Sequence, residues 1–156
     1  MQAYQVSGGQ GIGSLKRVAL TPREPGPFEV RVRIKAVSLN FRDLMVARGD
    51  YLKTSGSPVI PASDAAGQVV AVGAGVTRFK TGDRVMGAFM PNWIDGDPTP
   101  ANTALAPGAA TDGVLATEAI YAEHGLVAIP DSLSDEQAAT PVSYTHLRAH
   151  ETLRYL

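Results

Sequence analysis

Few residue types in this sequence could do chemistry. There is no cysteine, which removes thiol nucleophiles, disulfides and every thiolate metal site, and there are three histidines. His146 and His150 stand at helical i, i+4 spacing and imitate a metal-binding pair. His124 precedes Gly125 in a stretch that reads as a turn, so it is expected at the surface. The string GGQGIG over residues 8–13 has the composition of a phosphate-cradling loop but not its spacing. GxGxxG needs glycines at i, i+2 and i+5, and neither Gly9, Gly11, Ser14 nor Gly11, Gly13, Lys16 supplies the third. No βαβ unit of about 30 residues follows, so a turn between the first two strands is predicted. What remains is an amide and a carboxylate at Asn40 and Asp43, one helical turn apart, then the phenol of Tyr51, and Trp93 beside Phe89 and Pro91. Asn40 reads as a helix cap and Asp43 as a first-turn charge favouring the helix dipole. A rigid aromatic such as Trp93 could roof a substrate pocket, or pack onto its own domain.

Positioning these groups falls to the segments around them. Phe28, Val30, Val32, Ile34 and Ala36 alternate with Glu29, Arg31, Arg33 and Lys35, the period of an antiparallel strand with one buried and one wet face. That strand, over 29–38, is separated from one over 18–20 by TPREPGPF, whose prolines and glycine mark a loop. FRDLMVARG predicts a helix of about two turns, with Phe41, Leu44, Met45 and Arg48 on neighbouring turns, Asn40 as cap and Gly49 as stop. DAAGQVVAVG reads as a mostly buried strand, and VTRFKTGDRVMG as a turn entering a short strand over 84–86. Residues 89–111 lack periodicity and predict a long loop, of the kind that serves as a lid or binding segment. Two strands around a turn at 123–125 follow, and then a helix opening at SDEQAAT with Ser134 as cap and Glu136 and Gln137 in its first turn. Many short strands, proline and glycine turns and small helices predict a mainly β, barrel-like domain rather than a doubly wound sheet.

At 156 residues, one domain is expected. The 14 basic and 15 acidic residues are interspersed, leaving no basic patch for nucleic acid or anionic lipid. No apolar run reaches the roughly 18 residues of a membrane helix, and no signal core follows the N-terminus, so a cytoplasmic protein is expected, with neither nucleic acid nor membrane as partner. The string VSYTHLRAHET over residues 142–152 resembles, codon by codon, one translation frame of a transposon-based DNA sequencing adapter. Residues 141–156 are therefore read as a non-native tail, and His146 and His150 fall within it.

From residue 1 to about 140 the chain resembles the N-terminal GroES-like domain of the medium-chain dehydrogenase/reductase superfamily, in the zinc-free branch of quinone oxidoreductases and enoyl reductases. The motifs that carry the resemblance occur in family order: FEVRVRIKAVSLN, NFRDLMVARGDY, PVIPASDAAGQVVAVGAGV, TRFKTGDRV and IPDSLSDEQAAT. The resemblance implies a GroES-like, partly open β-barrel with short helices, forming the substrate half of an enzyme whose Rossmann domain is missing. In zinc-dependent relatives the positions of Asn40 and Ser63 hold a cysteine and a histidine ligand, so no zinc is expected here. Without a Lewis acid, a carbonyl must be polarised by hydrogen-bond donors or charge, and the hydride must come from NADP or NAD, held mainly by the absent domain.

By the same resemblance Asn40, Asp43 and Tyr51 are the candidate catalytic residues, with Tyr51 as a possible donor to a developing enolate. Phe41 and Arg42 fall near the cofactor, and Trp93 over the substrate, a small carbonyl compound such as a quinone or enone. Met45 stands where some relatives carry a polar relay residue. Asp64, Gly67, Gly73, Gly75, Gly82, Asp83 and Arg84 are read as structural. The parent is expected to be a homo-oligomer and the fragment alone inactive. The competing readings are a free-standing GroES-like binding or co-chaperonin module, against which the helix start at SDEQAAT speaks because it has nothing left to pack on, and an enoyl reductase module of a polyketide synthase.

Overall fold

The computed structural model describes residues 1–51 and 57–141. The non-native reading of the tail, with His146 and His150, concerns residues outside this range except for Pro141. Among the described residues eight strands form two antiparallel sheets. β1 (Gln2–Ser7) lies between β2 (Lys16–Ala19) and β4 (Pro58–Val59), and a second sheet runs β7-β3-β5-β6-β8, with β3 Glu29–Ser38, β5 Asp64–Val72, β6 Arg84–Gly87, β7 Glu118–Ala122 and β8 Leu126–Ala128. The mainly β expectation holds.

The alternation along β3 is what builds the core. Val30 and Val32 turn inward and meet Val69, Val85 and Leu126, all at most 1% exposed, while Arg33 and Lys35 face water. β-branched side chains suit a pleated surface buried on one face. Phe28 departs from the pattern: it precedes β3, is 65% exposed, and lays its ring over Gly75, where an added Cβ would stand 2.5 Å from Cε1.

The two strands predicted around residues 123–125 do exist, but they are not partners. β7 pairs β3 and β8 pairs β6 at opposite edges of the five-stranded sheet, although only the three residues Glu123–Gly125 join them. Edges bridged by so short a link require a sheet curled back on itself, which is the barrel.

Among the described residues there are also three short α-helices. α1 (Phe41–Arg48) and α3 (Asp135–Ala138) start at the predicted caps, and α2 (Pro100–Thr103) is a single capped turn within the predicted loop. α3 does find packing. Ala138 and Ala139 are buried against Ala66 and Ile129, and Asp135 accepts from Arg84 at 2.7 Å, so the helix start at SDEQAAT has no bearing against a free-standing domain. Asp83 binds Lys80 instead, through the Lys80 backbone N–H at 2.9 Å and the ammonium at 3.1 Å. No helix among the described residues is long and apolar enough to cross a membrane.

Candidate functional site

α1 sets the site because both its ends are fixed. At the C-terminal end, Gly49 adopts φ 83° and closes the helix. The glycine-rich turn lies alongside: the N–H groups of Gly9 and Gly11 both donate to the Ala47 carbonyl, at 3.1 and 2.8 Å. Amides committed in this way do not cradle a phosphate, in keeping with the spacing argument. At the N-terminal end, the Asn40 N–H donates to Asp43 Oδ2 at 2.8 Å. The forward half of this capping box is looser, since the Asp43 N–H is bound to the Asn40 backbone carbonyl at 3.0 Å rather than squarely to its side chain.

The Asn40 side chain is engaged elsewhere. Its Nδ2 donates to Asp64 Oδ2 at 3.1 Å, across 24 residues of sequence, which joins the head of α1 to the head of β5. Asp64 and its neighbour Ser63 are each 1% exposed, and Ser63 Oγ has no hydrogen-bond partner among the described residues. Sequence reasoning treated Asp64 as structural; the structure brings it into the same polar cluster as Asn40 and Asp43. Burial is the main force holding the Asp43 carboxyl above its ordinary range, with a smaller push from the charge of Asp64 and opposition from the Asn40 N–H and Arg42. Burial also raises the Tyr121 phenol, and Asp64 adds to the effect.

The chain reaches Asp64 through an unusual backbone. Ala62 is fully buried with φ 66°, the left-handed region that residues other than glycine seldom occupy. It is pinned from the far side, where the N–H groups of Val114 and Leu115 donate to the carbonyls of residues 61 and 62 and Gly113 donates to Ile60 at 2.7 Å. A Cβ on Gly113 would lie 2.0 Å from the Ala62 oxygen, so this close approach needs glycine.

Arg42 turns inward. Its guanidinium lies 5.2 Å from the Tyr51 ring centre and 4.8 Å from that of Phe89, and it donates to the Pro107 carbonyl. Its Nε and Nη1 are buried without a hydrogen-bond partner among the described residues. Tyr51 packs beside the cluster Val6, Val46, Ala47, Val59 and Ala109. Phe41 is 70% exposed, as is Leu39 at 73%, so its ring points away from the buried cluster. Trp93 is half-exposed and donates to Gly96 within its own loop, while His124 is exposed and approaches Asn92 at 3.4 Å. A cleft of about 720 Å³ is floored by Ile60, Val114 and Tyr121, but none of Asn40, Asp43, Tyr51 or Trp93 lines it. Pro107 is common to that cleft and to Arg42. The convergent polar groups, not that cleft, therefore define the candidate site.

The alcohol dehydrogenase GroES-like domain family matches residues 26–131. The chain belongs to that family. With it, the domain falls in the medium-chain dehydrogenase/reductase superfamily. It is 42% identical over 119 residues to a zinc-type alcohol dehydrogenase-like protein of Schizosaccharomyces pombe, covering 76% of the chain and 34% of the relative. Identity to a quinone oxidoreductase of Pseudomonas aeruginosa is 42% over 118 residues, covering 76% and 30%. Erythronolide synthase EryA2 of Saccharopolyspora erythraea matches at 35% over 152 residues, covering 90% of the chain and 3% of that protein. Among solved structures, the quinone oxidoreductase of Pseudomonas syringae superposes with a TM-score of 0.72 at 33% identity, covering 98% of the chain and 40% of that one. The GroES-like domain thus spans about a third of the first two relatives.

The donor set does not suit the zinc that one relative's name carries. Asn40 offers an amide already bound to Asp64 and Ser63 a hydroxyl, the sequence has no thiolate, and no group of three or more His, Cys, Asp or Glu gathers among the described residues.

Proposed function

We propose that residues 1–140 are the substrate half of a zinc-independent, NAD(P)H-dependent oxidoreductase of the cytoplasm, acting on a conjugated carbonyl such as a quinone or enone. The observation that carries this reading is the Asn40 side-chain amide, which gives one Nδ2 hydrogen to Asp64 while Asp43 fixes the backbone N–H of the same residue, and which stands where metal-dependent relatives would need a ligand. When bound, reduced nicotinamide supplies a hydride. Hydride addition to the conjugated system drives negative charge onto the carbonyl oxygen, and an N–H donor placed there stabilises it. Asn40 serves as that donor. Asp43 fixes the Asn40 backbone, and the Tyr51 phenol is the group that returns a proton to the enolate oxygen. Phe41 offers an exposed ring beside Asn40 for the nicotinamide, and the residue 41–42 backbone the approach to pyrophosphate and ribose. Trp93 roofs the substrate. The parent assembles as a homo-oligomer, and residues 141–156 are foreign to it.

The test is the complete reading frame, expressed and supplied with NADPH and a panel of quinones and enones. Turnover that survives a strong chelator is expected, and activity lost to the chelator and restored by zinc would overturn the mechanism. The 156-residue chain itself should show no NADPH binding up to millimolar concentration by calorimetry, because pyrophosphate affinity in this architecture resides in the other domain. The match to erythronolide synthase favours a second reading, an enoyl reductase module within a larger synthase, and carrier or ketoreductase sequence flanking the gene would identify it.

A further inference from the structure

The proposed reaction requires Asn40 to present a donor, and a primary amide can present either end. Its NH2 and C=O ends are nearly isosteric, so the surroundings decide which one is left for a substrate. Here the decisive neighbour is Asp64. Its Oδ2 accepts from Asn40 Nδ2 at 3.1 Å in a position 1% exposed to solvent. Turned over, Asn40 would set its carbonyl oxygen against a carboxylate oxygen, acceptor against acceptor, with little water to screen the clash. A charge-assisted hydrogen bond would be exchanged for a repulsion.

Two further observations point the same way. The Asn40 backbone is anchored independently by Asp43, so the side chain has only its terminal torsions left to set, and Asp64 sets them from a different element. Asp64 also lies two residues after the left-handed Ala62, with the buried Ser63 between them. A strained residue that the surrounding structure over-determines belongs where the chain must deliver a group to a fixed place. The group delivered at this point is the Asp64 carboxylate.

We propose that Asp64 is a positioning residue of the site: its buried carboxylate holds the Asn40 amide in the orientation that leaves the second Nδ2 hydrogen for a substrate oxygen. The site is thereby restricted to ligands that bring a hydrogen-bond acceptor to Asn40. Asp64 touches no substrate itself, and its role rests on the carbonyl-reduction reading above.

The experiment reads the Asn40 side-chain NH2 by NMR in the uniformly labelled 156-residue chain, for the wild type and for Asp64→Asn, Asp64→Ala and Asp64→Glu. In the wild type the two Nδ2 protons should be unequal, one of them shifted downfield and slow to exchange. Asp64→Asn and Asp64→Ala should lower the protection of that proton about tenfold or more, as loss of a bond to a charged group implies, with the barrel's backbone resonances unchanged. Asp64→Glu should restore part of it. A wild-type spectrum in which both protons exchange as fast as a free amide overturns the proposal without recourse to any variant. So does an Asp64→Asn protein with wild-type Asn40 signals. In the complete enzyme, Asp64→Asn should lower kcat and leave KM for reduced cofactor unchanged, and adding it to Asn40→Ala should cost nothing more. An active enzyme whose kcat ignores Asp64→Asn sinks the positioning role. A wild-type enzyme that reduces no carbonyl sinks the reading of the site, while the amide spectrum still reports on the Asp64 contact.

Discussion

The curled sheet and the head of α1 solve opposite problems with neighbouring stretches of one chain. In the sheet, Val30, Val32, Val69, Val85 and Leu126 bury only hydrocarbon, and the backbone polar groups around them are consumed by the ladders. At the head of α1 and β5, within a few residues of that core, lie Asp43, Ser63 and Asp64 with the Arg42 guanidinium and a left-handed alanine, and Asp43 Oδ1, Ser63 Oγ and Arg42 Nε and Nη1 are buried without a hydrogen-bond partner among the described residues. Stability is concentrated in the first region, and in the second it is given up. The contrast shows where each kind of substitution should register.

The largest effect is expected in the sheet. Leu126→Ala should lower unfolding free energy by about 2–5 kcal/mol, read by denaturant titration, since it opens a cavity in a close-packed core. A loss under about 1 kcal/mol would mean the core is not packed as described. Next comes the seam between the regions: Gly113→Ala, whose new Cβ meets the Ala62 oxygen, should cost about 1–3 kcal/mol and shift the resonances of residues 61–64 more than those of β6. Equal shifts throughout would erase the distinction. Asn40→Ala should cost about 1–3 kcal/mol, because it takes the Nδ2 donor from the buried Asp64 carboxylate, and in the complete enzyme should reduce kcat well beyond what that stability change explains.

The smallest effects are those of pH, and they differ in sign between the regions. Glu29, at the start of β3, is paired with Arg23 at 2.5 Å, and that bond holds its carboxyl down to about 2. Its stabilisation is present above the ordinary carboxylate range and is lost as pH falls toward 2. Because Arg23 is largely exposed, Arg23→Gln should remove less than about 1 kcal/mol, and the difference from wild type should close in that acid window. Asp43 is shifted upward, so the folded state holds its proton more tightly than the unfolded one and stability falls as pH rises through the folded pKa. Asp43→Asn should flatten that decline in a series of melting curves; a wild-type profile would remove burial as the cause.

Features written in short-range chemistry were legible in the sequence. Period-two alternation located β3, and the Asn40, Gly49 and Ser134 caps located α1 and α3, because those signals act over a few residues. Asn40 and Asp43 were found for the same reason. Asp64 was not recognised as part of the site, since its link to Asn40 spans 24 residues and nothing local marks that link. The inward turn of Arg42 depends on Pro107, 65 residues away, and the opposite placement of β7 and β8 depends on how the whole sheet curls. One local mark of Asp64 does exist: Ser63 and Asp64 are the only polar pair in the otherwise apolar run from Val59 to Ala66.

The three-residue link between β7 and β8 also bears on how the domain is made. β3 must wait for residues some 90 positions later to gain its second neighbour, and β6 is capped only by the strand that leaves the same link. Pairings this distant place the domain among chains that assemble in milliseconds to seconds rather than microseconds. On a ribosome adding roughly 5–20 residues per second, the segment carrying Asn40 and Asp43 emerges several seconds before the strands that close the barrel.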